Sequence, residues 1–312
     1  MLFLAFVALF CVSSYKIGSQ LMADHAEKQA FADLLSQVNA DRETGAGAAP
    51  AGVQAAQETA LPPDAESSAL DEDDTSFAVM WETESGGQTA AELSGEAGEE
   101  TNRRSDAADD RFVLDPGPTP QPPVLPAYAS LYAQNPDLFG WIEIEGTDIN
   151  FPVMHTPRDS EYYLHRAFDG SYSNSGVPFM DGNCYVGCGN YLIYGHHMKN
   201  GAMFAPIVNY AKEEYWQEHP VILFNTLYEM GTYEVIAAFY TQVDTDGVFP
   251  YYDYLDLNDP EAFEEYVWQV KATSVYDPGI EVAYGDPLIT LTTCEYHADN
   301  GRFVVVARKT EQ

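Results

Sequence analysis

The sequence predicts a mainly β domain, a barrel or a sandwich, over residues 126–312, preceded by an N-terminal helical segment and a long acidic linker. Three observations carry this. Eight short runs rich in β-branched and aromatic residues lie between clusters of Gly, Pro, Asn and Asp, a spacing that favours a barrel or sandwich over an alternating α/β sheet. Within them only two helical patterns intrude. Ahead of them composition changes sharply: residues 41–125 are dominated by Ala, Gly, Pro, Ser, Glu and Asp with few large apolar side chains, so this stretch is expected to be disordered.

In chain order, Leu2 to Tyr15 is nearly unbroken apolar sequence, closed by Lys16. Continued helically through Leu21 and Met22, it approaches the length of about 20 residues that a bilayer span needs. There is no basic n-region with a small-x-small cleavage site, and Phe10 stands where a lipoprotein needs a small residue before Cys11. An uncleaved membrane anchor over 1–22 is therefore expected, with a juxtamembrane helix over 23–40. The linker 41–125 follows; its residues 41–120 hold 19 acidic and 4 basic side chains, a large share of the total net charge of −35. So acidic a chain has no basic field for nucleic acid. The acid is read as serving solubility and extending the linker by like-charge repulsion.

Pro126 to Gln134 reads as a short helix stopped at Asn135-Pro136. Strands are expected at 139–144, 151–154, 176–180, 191–194, 221–225, 232–240, 288–294 and 303–308. One helix is expected from about Met203 to Tyr210. Another starts at Asn258-Asp259-Pro260, where an N-cap and a first-turn proline precede Phe263, Val267 and Val270 on one face, and runs to about Ala272. There is no internal repeat, and this part of the chain is large enough to bury one core by itself.

The chemistry-bearing residues concentrate late in the chain. Thr290-Leu291-Thr292-Thr293-Cys294-Glu295-Tyr296, followed by Gly301-Arg302-Phe303-Val304-Val305-Val306-Ala307-Arg308, reads as two adjacent strands, a thiol closing one and a guanidinium opening the next. A permanent cation favours thiolate, and the guanidinium fork can also hold an oxyanion. Tyr194-Gly195-His196-His197-Met198 offers the missing base. Acyl transfer through sulfur needs those three roles: nucleophile, acid/base and oxyanion donor. Each residue also has a plainer reading. Cys294 reads as a small buried apolar side chain, His196 as a satisfied strand-end histidine, and Arg302 as a surface partner of Glu295 or Asp299. His297, three positions after Cys294, is the competing base.

Of the other cysteines, Cys11 lies in the apolar segment, while Cys184 and Cys188 enclose three loop residues. In an exported domain that pair either closes as a disulfide or stays as free thiols. A zinc site built with His196 and His197 ranks below both, because adjacent histidines in a strand point to opposite faces.

The run Tyr-Gly-His-His-Met-Lys-Asn-Gly-Ala-Met-Phe at 194–204, with the two late strands at 290–296 and 300–307, resembles a class B sortase. Gly140-Trp141-Ile142 with Gly146-Thr147, Glu161 to His165, and the helix inserted between two late strands support the likeness, which covers 128–310 in order. It implies an eight-stranded β-barrel with short peripheral helices. It further implies a cysteine transpeptidase of Gram-positive bacteria, single-pass in the cell membrane with its catalytic domain outside. Such an enzyme cuts a C-terminal sorting signal after a threonine and passes the acyl group, through a thioacyl-enzyme, to an amine of cell-wall precursor or pilin. Carried over by position, the resemblance implies His196 as acid/base, Cys294 as nucleophile and Arg302 as the oxyanion or substrate-orienting group. Leu164, Tyr194, Tyr251, Tyr252, Thr292 and Glu295 would line the peptide groove. No cofactor and no metal is implied; the partners are signal-bearing surface proteins, the amine acceptor and the membrane. Ser160 stands where the class often has asparagine, and the Cys184/Cys188 pair and the long acidic linker depart from the class pattern. The rival functions are a cysteine endopeptidase that hydrolyses rather than transfers, and a non-enzymatic envelope scaffold.

Overall fold

The computed structural model describes residues 2–44, 122–295 and 298–310. The linker from 45 to 121, with the expectation of disorder there, lies outside the described residues, and so does His297. Eight strands close into one barrel: β1 (Leu138–Glu143), β2 (Asn150–Met154), β3 (Phe179–Met180), β4 (Asn190–Tyr194), β5 (Val221–Thr226), β6 (Thr232–Gln242), β7 (Leu288–Cys294) and β8 (Gly301–Lys309). Their spatial order is β1-β2-β3-β4-β7-β8-β6-β5, with β5 returning to β1, so no strand is left with an open edge. Pairing is antiparallel except at β2–β3 and β4–β7, which are parallel. All seven residues of β7 are buried. That suits a strand flanked on both sides, and explains why its sequence is a continuous Leu/Ile/Thr run rather than an alternating one.

β3 is shorter than the expected strand at 176–180, for two local reasons. Gly176 adopts φ +55° where a Cβ would lie 2.3 Å from the Leu164 carbonyl oxygen. Pro178 has no N–H to give, and uses only its carbonyl, which accepts from Met154 N–H at 2.9 Å.

The helices are α1 (Leu2–Thr44), α2 (Pro126–Gln134), α3 (Glu213–Glu218) and α4 (Pro260–Thr273), with 3-10 turns at Ala205–Ala211 and Tyr251–Asp253. The helix expected at 203–210 is the first of these turns, opened by Pro206, and α3 follows it without an apolar period to announce it. α4 starts as expected, the Asp259 carboxylate accepting from Ala262 N–H at 2.9 Å, but it buries Phe263, Tyr266 and Val270 rather than Val267. The segments expected as an anchor and a juxtamembrane helix form one continuous helix that runs to Thr44, into the expected linker. Its last turn is held by contacts to α2: Ser130 donates to Asp41, and Arg42 reaches the Tyr128 hydroxyl at 3.2 Å. Among the described residues no helix is long and apolar enough to cross a membrane. The apolar run stops at Lys16, and polar residues follow.

Candidate active site

The site begins with the parallel register of β4 and β7, in which Tyr194 lies opposite Thr292. The zipper continues past the end of β4. Gly195 N–H donates to the Thr292 carbonyl at 3.2 Å, and the Thr293 hydroxyl donates to the Gly195 carbonyl at 2.6 Å. Extended one step further along each chain, the same register would put His196 level with Cys294. The next histidine reaches the end of β7 directly: His197 Nδ1 lies 2.9 Å from the Cys294 carbonyl oxygen. Position 195 must be glycine, because a Cβ there would come within 2.5 Å of the Phe204 ring.

The β7–β8 hairpin supplies the second pair. Cys294 lies directly opposite Arg302 in an antiparallel ladder, so both side chains leave the sheet on the same face. Glu295, half-buried, closes the hairpin with its N–H donating to the Gly301 carbonyl at 2.9 Å. Arg302 has no exposed surface, and its Nη1 donates to the Gly301 carbonyl at 3.0 Å. It is therefore not the surface side chain the sequence allowed. Burying a charge that cannot be neutralised by losing a proton is expensive, and the register puts that charge on the face that carries the thiol. Cys294 itself is in no disulfide and is 7% exposed.

His196 is also nearly buried, with Nε2 2.8 Å from the Leu164 carbonyl oxygen and its ring stacked 5.5 Å from that of His165. A carbonyl oxygen can only accept, so this bond assigns a proton to Nε2 and leaves exchange with reacting groups to Nδ1. Leu164 thus contributes to the site through its backbone.

Of the remaining expected groove residues, Thr292 and Tyr251 are fully buried and share a hydrogen bond at 2.7 Å between their hydroxyls. Burial pushes the Tyr251 phenol up to about 12, with the nearby Arg302 charge pulling it down and Cys294 raising it. Its hydroxyl therefore sits within electrostatic reach of both. Tyr252 is half-buried, its ring centroid 5.4 Å from that of Tyr251. Tyr194 is fully buried and donates to the Asp181 carboxylate at 2.9 Å; burial and that carboxylate hold its phenol well above the usual range. Tyr194 and Thr292 accordingly underlie the site as a floor and do not reach its surface. Sequence reasoning missed Asp181 as the partner of Tyr194, the His197 clamp on the Cys294 carbonyl and the Leu164 carbonyl as the partner of His196. A backbone acceptor leaves no trace in residue identity; only the His-His pair carried a visible signal.

Cys184 and Cys188 are buried free thiols, so the disulfide reading is not realised here. Both point at the Asn190 carbonyl, at 3.6 and 3.2 Å. A hydrogen bond between the two lowers Cys188 to about 7 and, with burial, raises Cys184. Zinc shared with His196 and His197 is ruled out by distance. Asn190 opens β4 and the histidines lie beyond its far end, about 20 Å away at the usual rise per strand residue. Among the described residues no cluster of three or more His, Cys, Asp or Glu side chains is placed to hold a metal.

Comparison with known proteins agrees with this fold. The family model described as a sortase domain matches residues 142–310. Sortase B of Listeria monocytogenes is 32% identical over 180 residues, spanning 55% of this chain and 69% of that protein. Sortase B of Staphylococcus aureus is 29% identical over 189 residues, 59% of this chain and 75% of that protein. The solved complex of S. aureus sortase B with substrate superposes with a TM-score of 0.55 at 28% identity, covering 61% of this chain and 87% of the other.

Proposed function

The chain belongs to the sortase family, class B, whose members are cysteine transpeptidases, and we propose that it cleaves a C-terminal sorting signal after a threonine and transfers the acyl group to an amine. The observation that carries this reading is the cross-strand pairing of Cys294 with Arg302 at the end of β7. The β4–β7 register, extended past Tyr194 and Thr292, supports His196 as the third member of the set.

The steps follow from the groups present. His196 Nδ1 takes the Cys294 thiol proton, the sulfur attacks the threonine carbonyl, and the electron pair pushed onto oxygen is held by the buried Arg302 guanidinium. Collapse of that intermediate breaks the amide as His196 gives a proton from Nδ1 to the departing amine, leaving a thioacyl-enzyme. An incoming amine then attacks the thioester, His196 takes its proton, and sulfur leaves. Because Nε2 stays bonded to Leu164 through both halves, the ring keeps one orientation while Nδ1 cycles. The acceptor is proposed to be an amine of cell-wall precursor or of a pilin.

The N-terminal half of α1 is proposed to seat the barrel at the outer face of the cell membrane. Phe10, Tyr15, Leu21 and Met22 are all strongly exposed on it, an apolar surface that a lipid phase would cover.

The reaction is tested by incubating the protein with a signal peptide and a short amine-bearing peptide and weighing the products. An amide-linked adduct of the two supports the reading. Hydrolysed peptide alone, at saturating amine, would identify an endopeptidase instead.

A further inference from the structure

The second half of α1 lies against the barrel along one stripe. Asp24, Glu27, Phe31, Leu34, Val38 and Asp41, at spacings of three and four, lose exposure, with Leu35 and Gln37 beside them. Phe31 meets the Phe151 ring edge-on at 5.0 Å, Asn200 donates to the Asp24 carboxylate at 3.0 Å, and Leu34 and Val38 join the core. Glu27 makes the most directed contact. Its two carboxylate oxygens accept from the hydroxyls of Ser173 at 2.8 Å and Ser175 at 2.5 Å, a fork across one short loop. Both serines are otherwise buried.

That loop holds the backbone segment to which His196 is tied. Ser173 N–H donates to the His165 carbonyl at 3.1 Å and Val177 N–H to the Tyr163 carbonyl at 3.2 Å, bracketing Leu164 on both sides. Between those two bonds, Gly176 packs so closely on the Leu164 carbonyl that a Cβ would not fit. Ser173 Oγ also accepts from Gly176 N–H at 3.1 Å, so the hydroxyl held by Glu27 fixes the turn at Gly176 as well. The Leu164 carbonyl is the one that takes the proton on His196 Nε2. We infer that Glu27 is a positioning residue for the acid/base: through Ser173 and Ser175 it sets the strap that fixes the Leu164 carbonyl, and so the orientation of the His196 ring. The N-terminal helix is on this account a working wall of the active site as well as a tether. The inference rests on the transpeptidase reading for its kinetic consequence, but its geometric core is independent of the reaction.

The test uses the full chain with Glu27→Ala, Glu27→Gln and the pair Ser173→Ala/Ser175→Ala. Glu27→Ala is expected to lower kcat about tenfold with KM within twofold of wild type, since a misoriented ring affects the step and not peptide binding. Glu27→Gln, which keeps side-chain length and an acceptor oxygen, should recover most of the loss, and the serine pair should reproduce it. In parallel, the His196 Nε2–H resonance of histidine-labelled protein should exchange with solvent faster in Glu27→Ala than in wild type. Unchanged kcat and an unchanged resonance in Glu27→Ala would overturn the inference. So would a kcat loss without any change in the resonance. A wild type that makes no transfer product would defeat the transpeptidase reading alone, because the resonance still reports whether Glu27 sets the ring.

Discussion

Cys294 and Arg302 face each other across β7 and β8 as a directly opposed antiparallel pair, so the thiol and the guanidinium share one face of the sheet. The relationship is built into the hairpin register. A one-residue slip would send one of the two to the other face of the barrel.

The first prediction concerns the charge in that pair. Arg302→Lys keeps a cation but loses the planar fork, and peptide cleavage is expected to fall by about 10²–10³ in kcat/KM. A variant within threefold of wild type would remove Arg302 from the oxyanion role.

Gly195→Ala tests the placement of His196. The added methyl would meet the Phe204 ring, so the β4 exit must shift, with an expected loss of about 1–3 kcal/mol in urea unfolding and a larger proportional loss of transfer. Phe204→Leu in the same chain should return part of both. Wild-type stability and rate in Gly195→Ala would show that the close approach is not required.

Stability should fall on the alkaline side through Tyr251. Its phenol is raised to about 12 in the fold, chiefly by burial, while an unfolded tyrosine ionises near its ordinary value of about 10. The stabilisation is complete below about pH 10 and is lost as pH climbs from there towards about 12. Two units correspond to something on the order of 2–3 kcal/mol. Tyr251→Phe should flatten this limb of the stability curve and cost about 1 kcal/mol at neutral pH through the lost bond to Thr292. Identical alkaline slopes in the two proteins would contradict the assignment.

Cys184 and Cys188 lie at the opposite end of β4 from the histidines, which predicts that catalysis does not depend on them. Cys184→Ala/Cys188→Ala should transfer acyl groups within about twofold of wild type, and chelator should leave both unchanged. A tenfold loss in either experiment would revive a metal or redox role for the pair.

Much of the barrel was legible because its strands carry their own chemistry. The run Leu288 to Cys294 is a continuous Leu/Ile/Thr stretch, rich in β-branched residues, that stops at polar sequence, and the strand has those limits. The helix at Asp259-Pro260 announced itself through a cap and a proline, yet its buried face turned out to hold Tyr266, whose hydroxyl meets Thr290, where Val267 had been expected. What sequence could not show was pairing. Gly195 and Thr293, 98 positions apart, are brought together by a parallel register that no local pattern encodes. The docked stripe of α1 was hidden for another reason. Its contacts at Asp24 and Glu27 are polar, so the apolar periodicity that marks a packed face is broken just where the helix meets the site.

The central claim is that Cys294 carries the acyl group and His196 drives its transfer, and intact-mass analysis during turnover tests it most directly. With signal peptide and no added amine, wild type should accumulate a mass increase equal to the acyl fragment, mapped to Cys294. His196→Ala should form it far more slowly, and Cys294→Ala should not form it at all. An adduct on any other residue, or product release by Cys294→Ala at the wild-type rate, would contradict the account.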